Sequence, residues 1–137
     1  MAHYFITGAS SGIGAALSKQ LAHAGHQVSA VARRQQRLVA LSKQLDAFHG
    51  YAADVGDAAN LATAIDKAKA NSGAIDVAIL NAGIYQPQDC TKIDPQIYSN
   101  HMTINYLGVV NALAGLVPDM IRDGKGHIAI VSSVAGW

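Results

Sequence analysis

Short apolar runs alternate along this chain with segments whose apolar residues recur every three or four positions. HYFIT, residues 3 to 7, predicts a strand that stops at a glycine-rich turn. Ile13, Leu17 and Leu21 then recur as one face of a first helix, which Gly25 ends. VSAVA (28 to 32) predicts a second strand, and Leu38, Leu41 and Leu45 mark a second helix. AFHGYAA (47 to 53) predicts a third strand, weakened by Gly50. Asp57 is a fitting N-cap for a third helix that carries Leu61, Ile65 and Ala68 inward as far as Asn71. IDVAIL (75 to 80) is continuously apolar, the pattern of a strand covered on both faces. A long fourth helix is predicted over residues 94 to 122, with Ile97, Ile104, Leu107, Val110, Leu113 and Val117 inward and a bend at Pro118. GHIAIVS (126 to 132) predicts the fifth strand.

Five strands joined by four helices imply a parallel sheet with right-handed crossovers: a doubly wound α/β domain of Rossmann type, with helices on both faces. No repeat, linker or low-complexity segment interrupts it, so residues 1–137 read as one domain. If the strand order is 3-2-1-4-5, connections reverse between strands one and four, and ligands bind at the carboxyl ends there. The loops at 8 to 14, 33 to 34, 54 to 55, 81 to 86 and 132 to 137 all share that edge.

Composition adds limits. Half of the 137 residues are hydrophobic and 14% are charged, enough for one core and a soluble domain. A net charge of +1 disfavours a nucleic-acid partner held by bulk electrostatics. No apolar run approaches the roughly 20 residues of a membrane span, and no signal peptide opens the chain, so a cytoplasmic protein without a membrane partner is expected. Cys90 is the single cysteine, which excludes an internal disulfide and suits a loop or half-buried thiol. His3, His23, His26, His49, His101 and His127 show no metal-ligand spacing, so no metal site is expected. All nine acidic residues are aspartates, and the first is Asp46. Lys19, Arg33, Arg34, Arg37 and Lys43 precede it, and this basic third hints at an anionic ligand near its loops.

TGASSGIG, residues 7 to 14, carries the strongest chemical signal. Gly8 can make the tight turn, Gly12 lets backbone approach a phosphate, and Gly14 lets the first helix pack closely on the sheet. Ser10, Ser11 and Ile13 complete the loop. The helix that starts there aims free amides and a positive dipole end at the loop, where a pyrophosphate fits. The alternative is a plain strand-to-helix turn.

TGASSGIG at 7 to 14, ADV at 53 to 55, NAG at 81 to 83, INYLG at 104 to 108 and IVSSVAG at 130 to 136 stand in an order and spacing that resemble the short-chain dehydrogenase/reductase family. The resemblance runs through the whole chain but covers about the first half of a typical member. It implies Asp54 and Val55 along an adenine ring, and Asn81, Ala82 and Gly83 lining the cofactor groove. Without the resemblance, Asp54 could equally cap the turn before the third helix, and Asn81 to Gly83 could be an ordinary strand-ending turn.

Charge speaks to the choice of cofactor. An NAD-specific protein is expected to carry an acidic residue at the end of the second strand for the ribose 2′-OH. This chain reads Ala32, Arg33, Arg34 there. A guanidinium can hold a 2′-phosphate with bidentate charge-assisted bonds, so NADP(H) is expected, with Arg33 the leading contact and Arg34 the second. Two arginines at a solvated helix start are the alternative.

The resemblance further implies an Asn-Ser-Tyr-Lys set acting on a small carbonyl or alcohol substrate. Asn105 matches the asparagine of a water relay, and Ser133 matches the serine that polarises the substrate oxygen. None of Tyr4, Tyr51, Tyr85, Tyr98 or Tyr106 is followed four positions later by lysine, and only four residues follow Ser133. A tyrosine near pKa ~10 needs that cationic neighbour to act near neutral pH. Catalysis is therefore expected to be incomplete in these residues, which lack the family's C-terminal strands. Either the chain is a fragment of a longer enzyme, or it is a truncated product that hides an apolar edge strand in a homo-oligomer. Two other readings stay open: a non-catalytic dinucleotide-binding or subunit-pairing module, and a methyltransferase on a similar fold, which gives NAG and SSVAG no role.

Overall fold

The computed structural model describes residues 1–133. Its strands are β1 (His3–Thr7), β2 (Gln27–Ala32), β3 (Phe48–Ala52), β4 (Val77–Leu80) and β5 (His127–Ile130). They form one parallel sheet in the order β3-β2-β1-β4-β5. Successive residues of a strand face opposite sides of the sheet, and this divides the core. Phe5 packs with Val31, Leu61, Ile65 and Leu116, while Ile6 packs on the other side with Val28, Ala30, Leu38 and Phe48. So α3 (Ala58–Ser72) and α5 (Gly108–Arg122) cover one face, and α1 (Gly12–His23) and α2 (Gln35–Ser42) the other. The chain moves outward from β1 to β3, then returns to β4 on the far side of β1. That reversal opens a crevice at the carboxyl ends of β1 and β4.

Asp57 caps α3 as its sequence position predicts, accepting the Asn60 amide at 3.0 Å. Asp94 does the same for α4 (Pro95–His101), accepting from Gln96 at 2.9 Å. A π-helical segment, Met102–Leu107, joins α4 to α5, and Pro118 lies inside α5 without ending it. The inward face of this long helix differs from the expected one. Gly108, Ala112 and Leu116 are buried, whereas Leu107 and Val110 are 46% and 42% exposed. A Cβ on Gly108 would lie 2.7 Å from Val55 Cγ2, and one on Gly115 would lie 2.6 Å from Ile65 Cδ1. The helix approaches too closely for a side chain at these two glycines; Leu116 still packs into the core, with Ile104 and Leu113 against it, while Leu107 and Val110 point away.

Pro95–Arg122 as a whole is long and apolar enough, by length and composition, to cross a membrane. This corrects the expectation that no such stretch exists. In the fold the helix lies against α3 and the sheet core through its small residues.

Helix α1 shows the same inversion. Ile13, expected on its inner face, is 65% exposed, and the buried residues are Gly14 and Ser18. Ser18 is satisfied by donating to the Gly14 carbonyl at 2.7 Å, and Leu17 and Leu21 pack half-buried beside it. Strand β5 is shorter than expected, and among the described residues it pairs only with β4. Ile130 and Val131 are exposed there, as an apolar edge strand requires.

At the amino edge of the sheet, His3 is buried. Its Nδ1 lies 3.0 Å from the Gly73 carbonyl and 3.2 Å from that of Ala74, and its Nε2 lies 2.8 Å from Ser29 Oγ. Carbonyls only accept, so Nδ1 carries the proton and Nε2 accepts from Ser29. Burial pushes the His3 pKa down, outweighing the carbonyl bonds.

Candidate functional site

The site grows from the end of β1. Thr7 is buried, and its Oγ1 accepts the amides of Asn81 and Ala82, each at 3.1 Å. Asn81 Nδ2 donates back to the carbonyls of Thr7 and Gly8, at 3.2 and 3.4 Å. Gly8 has φ +69°, and a Cβ there would stand 2.8 Å from Ala82 Cα. The loops after β1 and β4 are thus stitched together across the switch point, and only glycine fits at the seam. Gly14 meets the same restriction, with a Cβ position 2.5 Å from the Gly8 carbonyl oxygen.

Beside this seam lies a cleft of ≈ 200 Å³. Gly8, Ser10 and Ser11 line it from the β1 loop, and Arg33 and Arg34 from the end of β2. Asp54 and Val55 close it from β3, and Asn81, Ala82, Gly83 and Ile84 from β4. Four sequence motifs therefore meet in one place. Gly12, Ile13 and Gly14 stay outside the lining: Gly12 has φ +54° with open space around its Cβ position, and Ile13 faces away.

Ser11 occupies the N-cap position of α1, yet its side chain makes no capping bond. Its hydroxyl accepts instead from Arg34 Nη2 at 3.2 Å, and Ser10 Oγ accepts from the same nitrogen at 3.3 Å. The first-turn amides of α1 are therefore left without a side-chain cap beside a guanidinium, which suits an anion. Arg34 rather than Arg33 is the arginine anchored to the glycine loop. Asp54 turns its Oδ1 to the Gly56 amide at 2.9 Å, so it braces its own turn while lining the cleft.

Asn105 lies on the π-helical segment and grips the exit of β4 in both directions. Its Oδ1 accepts the Ile84 amide at 2.7 Å, and its Nδ2 donates to the Ile84 carbonyl at 2.8 Å. Ser133 follows β5 at the same carboxyl edge and is exposed. Neither Asn105 nor Ser133 lines the cleft, although Ile104 does. The remainder of the IVSSVAG motif, residues 134 to 136, lies outside the described residues.

Sequence reasoning missed Thr7, Ile84 and His101. Thr7 carried a signal: a hydroxyl ending an apolar strand just before the glycine turn. His101 offered only its place one helical turn before Asn105. It accepts the Gln86 amide at Nε2, 2.9 Å, and its Nδ1 lies 2.6 Å from the Ile97 carbonyl.

A second cavity, ≈ 210 Å³, sits between α3 and α5 towards the amino edge. Its charges answer one another: Lys69 meets Asp119 at 2.7 Å and Asp66 at 2.9 Å, and Arg122 meets Asp119 and Asp123. The Asp119 bond raises the Lys69 pKa, and the same bond, seconded by Arg122, lowers that of Asp119. Among the described residues, no cluster of histidine, cysteine and acidic side chains is arranged to hold a metal ion.

The model of the short chain dehydrogenase family matches residues 2–137. The chain belongs to that family. It is 35% identical to 3-dehydrosphinganine reductase TSC10B of Arabidopsis thaliana, over 98% of this chain and 42% of that protein. Among solved structures, the apo form of LigO from Sphingobium sp. strain SYK-6 superposes with a TM-score of 0.92 at 30% identity, covering 98% of this chain and 52% of that one. Serine dehydrogenase from Escherichia coli gives a TM-score of 0.92 at 28% identity, with 98% and 63% covered. The chain thus spans about half the length of these relatives, or less for the plant reductase. Membership places it in an oxidoreductase family whose members bind nicotinamide dinucleotides and act on small molecules.

Proposed function

We propose that the cleft binds NADP(H) rather than NAD(H), and that the whole protein transfers hydride between this cofactor and a carbonyl or alcohol substrate. The observation that carries the choice is the end of β2, where Ala32, Arg33 and Arg34 stand in place of an acidic residue. Arg34 already bridges Ser10 and Ser11. A 2′-phosphate can take over that bridge, exchanging two neutral hydroxyl acceptors for a doubly charged one. The uncapped first turn of α1 supports pyrophosphate binding nearby, and Gly8 keeps the floor of the cleft open.

When bound there, the cofactor would supply the hydride donor or acceptor. This chain's own residues hold and orient it: Asp54 and Val55 flank the adenine end, and Asn81 to Gly83 form the opposite wall. Ser133 polarises the substrate oxygen, and Asn105 fixes the β4 exit loop beside it. Proton transfer falls to a Tyr-x-x-x-Lys pair elsewhere in the whole protein, since no tyrosine in residues 1–137 is followed four positions later by lysine. Residues 1–137 alone are expected to oxidise no NADPH with any carbonyl substrate. In this reading a second copy covers the apolar edge strand β5, where Ile130 and Val131 are exposed.

Dissociation constants for NADPH and NADH test the cofactor assignment. NADPH should bind more tightly, and Arg34→Ala or Arg33→Ala should weaken it about tenfold while sparing NADH. Equal affinities in the wild type, or an affinity for NADPH indifferent to both substitutions, overturn it.

A further inference from the structure

We propose that His101 is a positioning residue that holds the β4 exit loop against the nicotinamide end of the cleft, an inference that rests on the dinucleotide reading above. His101 Nδ1 lies 2.6 Å from the Ile97 carbonyl oxygen, which can only accept. Nδ1 therefore carries the proton, and Nε2 is the bare acceptor of the Gln86 amide at 2.9 Å. Both nitrogens of a neutral imidazole are used.

One helical turn later, Asn105 binds the amide and carbonyl of Ile84. The two side chains thus grip alternate residues of one segment, Ile84 and Gln86, while Tyr85 between them points out and is exposed. With Asn105 alone the segment is free to pivot about Ile84. The second attachment at Gln86 fixes its direction. Ile84 lines the cleft, so a pivot there changes the wall directly.

That wall belongs to the β4 side of the switch point. In a doubly wound fold the adenosine half of a dinucleotide lies over β1 and β2, and the other half lies across the switch. Arg33, Arg34 and Asp54 occupy the adenosine side, and Ile84 the other. A loosened segment should therefore weaken contacts to the nicotinamide half and leave the adenosine half untouched.

The test uses two variants and two probes. His101→Phe keeps the ring and removes the acceptor, while His101→Gln returns an acceptor near the position of Nε2. NADPH and adenosine 2′,5′-bisphosphate, which lacks the nicotinamide half, are titrated into each, and exchange of the Gln86 amide is followed by NMR. In His101→Phe, NADPH affinity is expected to fall about fivefold with the bisphosphate unchanged. Exchange at Gln86 should quicken in this variant, and His101→Gln should restore both readouts. Equal losses for the two probes, no loss for NADPH, or unchanged Gln86 exchange overturn the proposal. If the wild type binds neither probe, the dinucleotide reading itself is overturned, and Gln86 exchange alone then decides whether His101 holds the loop.

Discussion

The two edges of this sheet carry cavities of nearly equal volume, ≈ 200 Å³ at the carboxyl end and ≈ 210 Å³ towards the amino end. In the amino-edge cavity each charge has its partner: Lys69 with Asp66 and Asp119, Arg122 with Asp119 and Asp123, and Lys125 with Asp76 at 3.1 Å. The carboxyl-edge cleft leaves its charges open. Among the described residues no carboxylate pairs with Arg33 or Arg34, and the serine that would ordinarily cap α1 is turned to Arg34. Equal volumes thus hide unequal chemistry. An anion entering the cleft meets donors that are still available, whereas one entering the other cavity must displace a carboxylate already in place.

Substitutions at the two edges should separate them, and the largest effect belongs to the seam of the cleft. Gly8→Ala puts a side chain at φ +69° and 2.8 Å from Ala82 Cα. It should cost about 3 kcal/mol of stability by denaturant titration and abolish NADPH binding. Thr7→Val is nearly isosteric but leaves the Asn81 and Ala82 amides without their acceptor. A loss of about 2 kcal/mol is expected, with weaker NADPH binding in the fraction that folds.

The amino edge should answer to pH instead. Burial holds His3 below the ordinary histidine value of about 6.5, so the unfolded chain takes up the proton first as pH falls. Its contribution is fully present above that value and is lost as the pH falls below it. Urea midpoints at about pH 7.5 and about pH 5 should therefore differ more in the wild type than in His3→Gln. An identical difference in the two proteins removes His3 from the account. The smallest effect is expected for Asp119→Asn, which weakens a half-buried network at the surface and should leave NADPH affinity unchanged.

The same contrast explains what was legible in the sequence. Strand order and the meeting of TGASSGIG, the arginine pair, ADV and NAG could be read, because apolar runs and turn residues report on topology and topology gathers loop ends at one edge. The inner faces of α2 and α3 were legible too, since Leu38, Leu41, Leu61, Ile65 and Ala68 are buried, but those of α1 and α5 were read less well. In those two helices periodicity marks large apolar residues, yet Gly14, Ser18, Gly108 and Ala112 are buried, with Leu116 the one large residue among them, because the close approach at the glycines leaves Ile13, Leu107 and Val110 outside. Gly50 misled in the same way. A Cβ there would lie 2.7 Å from Leu38 Cβ, so the residue that weakened the third strand is what lets α2 pack on it. Thr7 left one local sign, a hydroxyl closing the strand before the glycine turn, whereas the role of His101 depends on a contact to Gln86 that no local pattern announces.

The central claim is that the carboxyl-edge cleft, and not the cavity between α3 and α5, receives a phosphorylated dinucleotide. Backbone amide shifts recorded during an NADPH titration test it most directly. The account predicts perturbations concentrated at Gly8 to Gly14, Arg33 and Arg34, Asp54 and Val55, and Asn81 to Ile84, with Lys69, Asp119 and Lys125 unmoved. Perturbations centred on Lys69 and Asp119, or none at saturating NADPH, would contradict it.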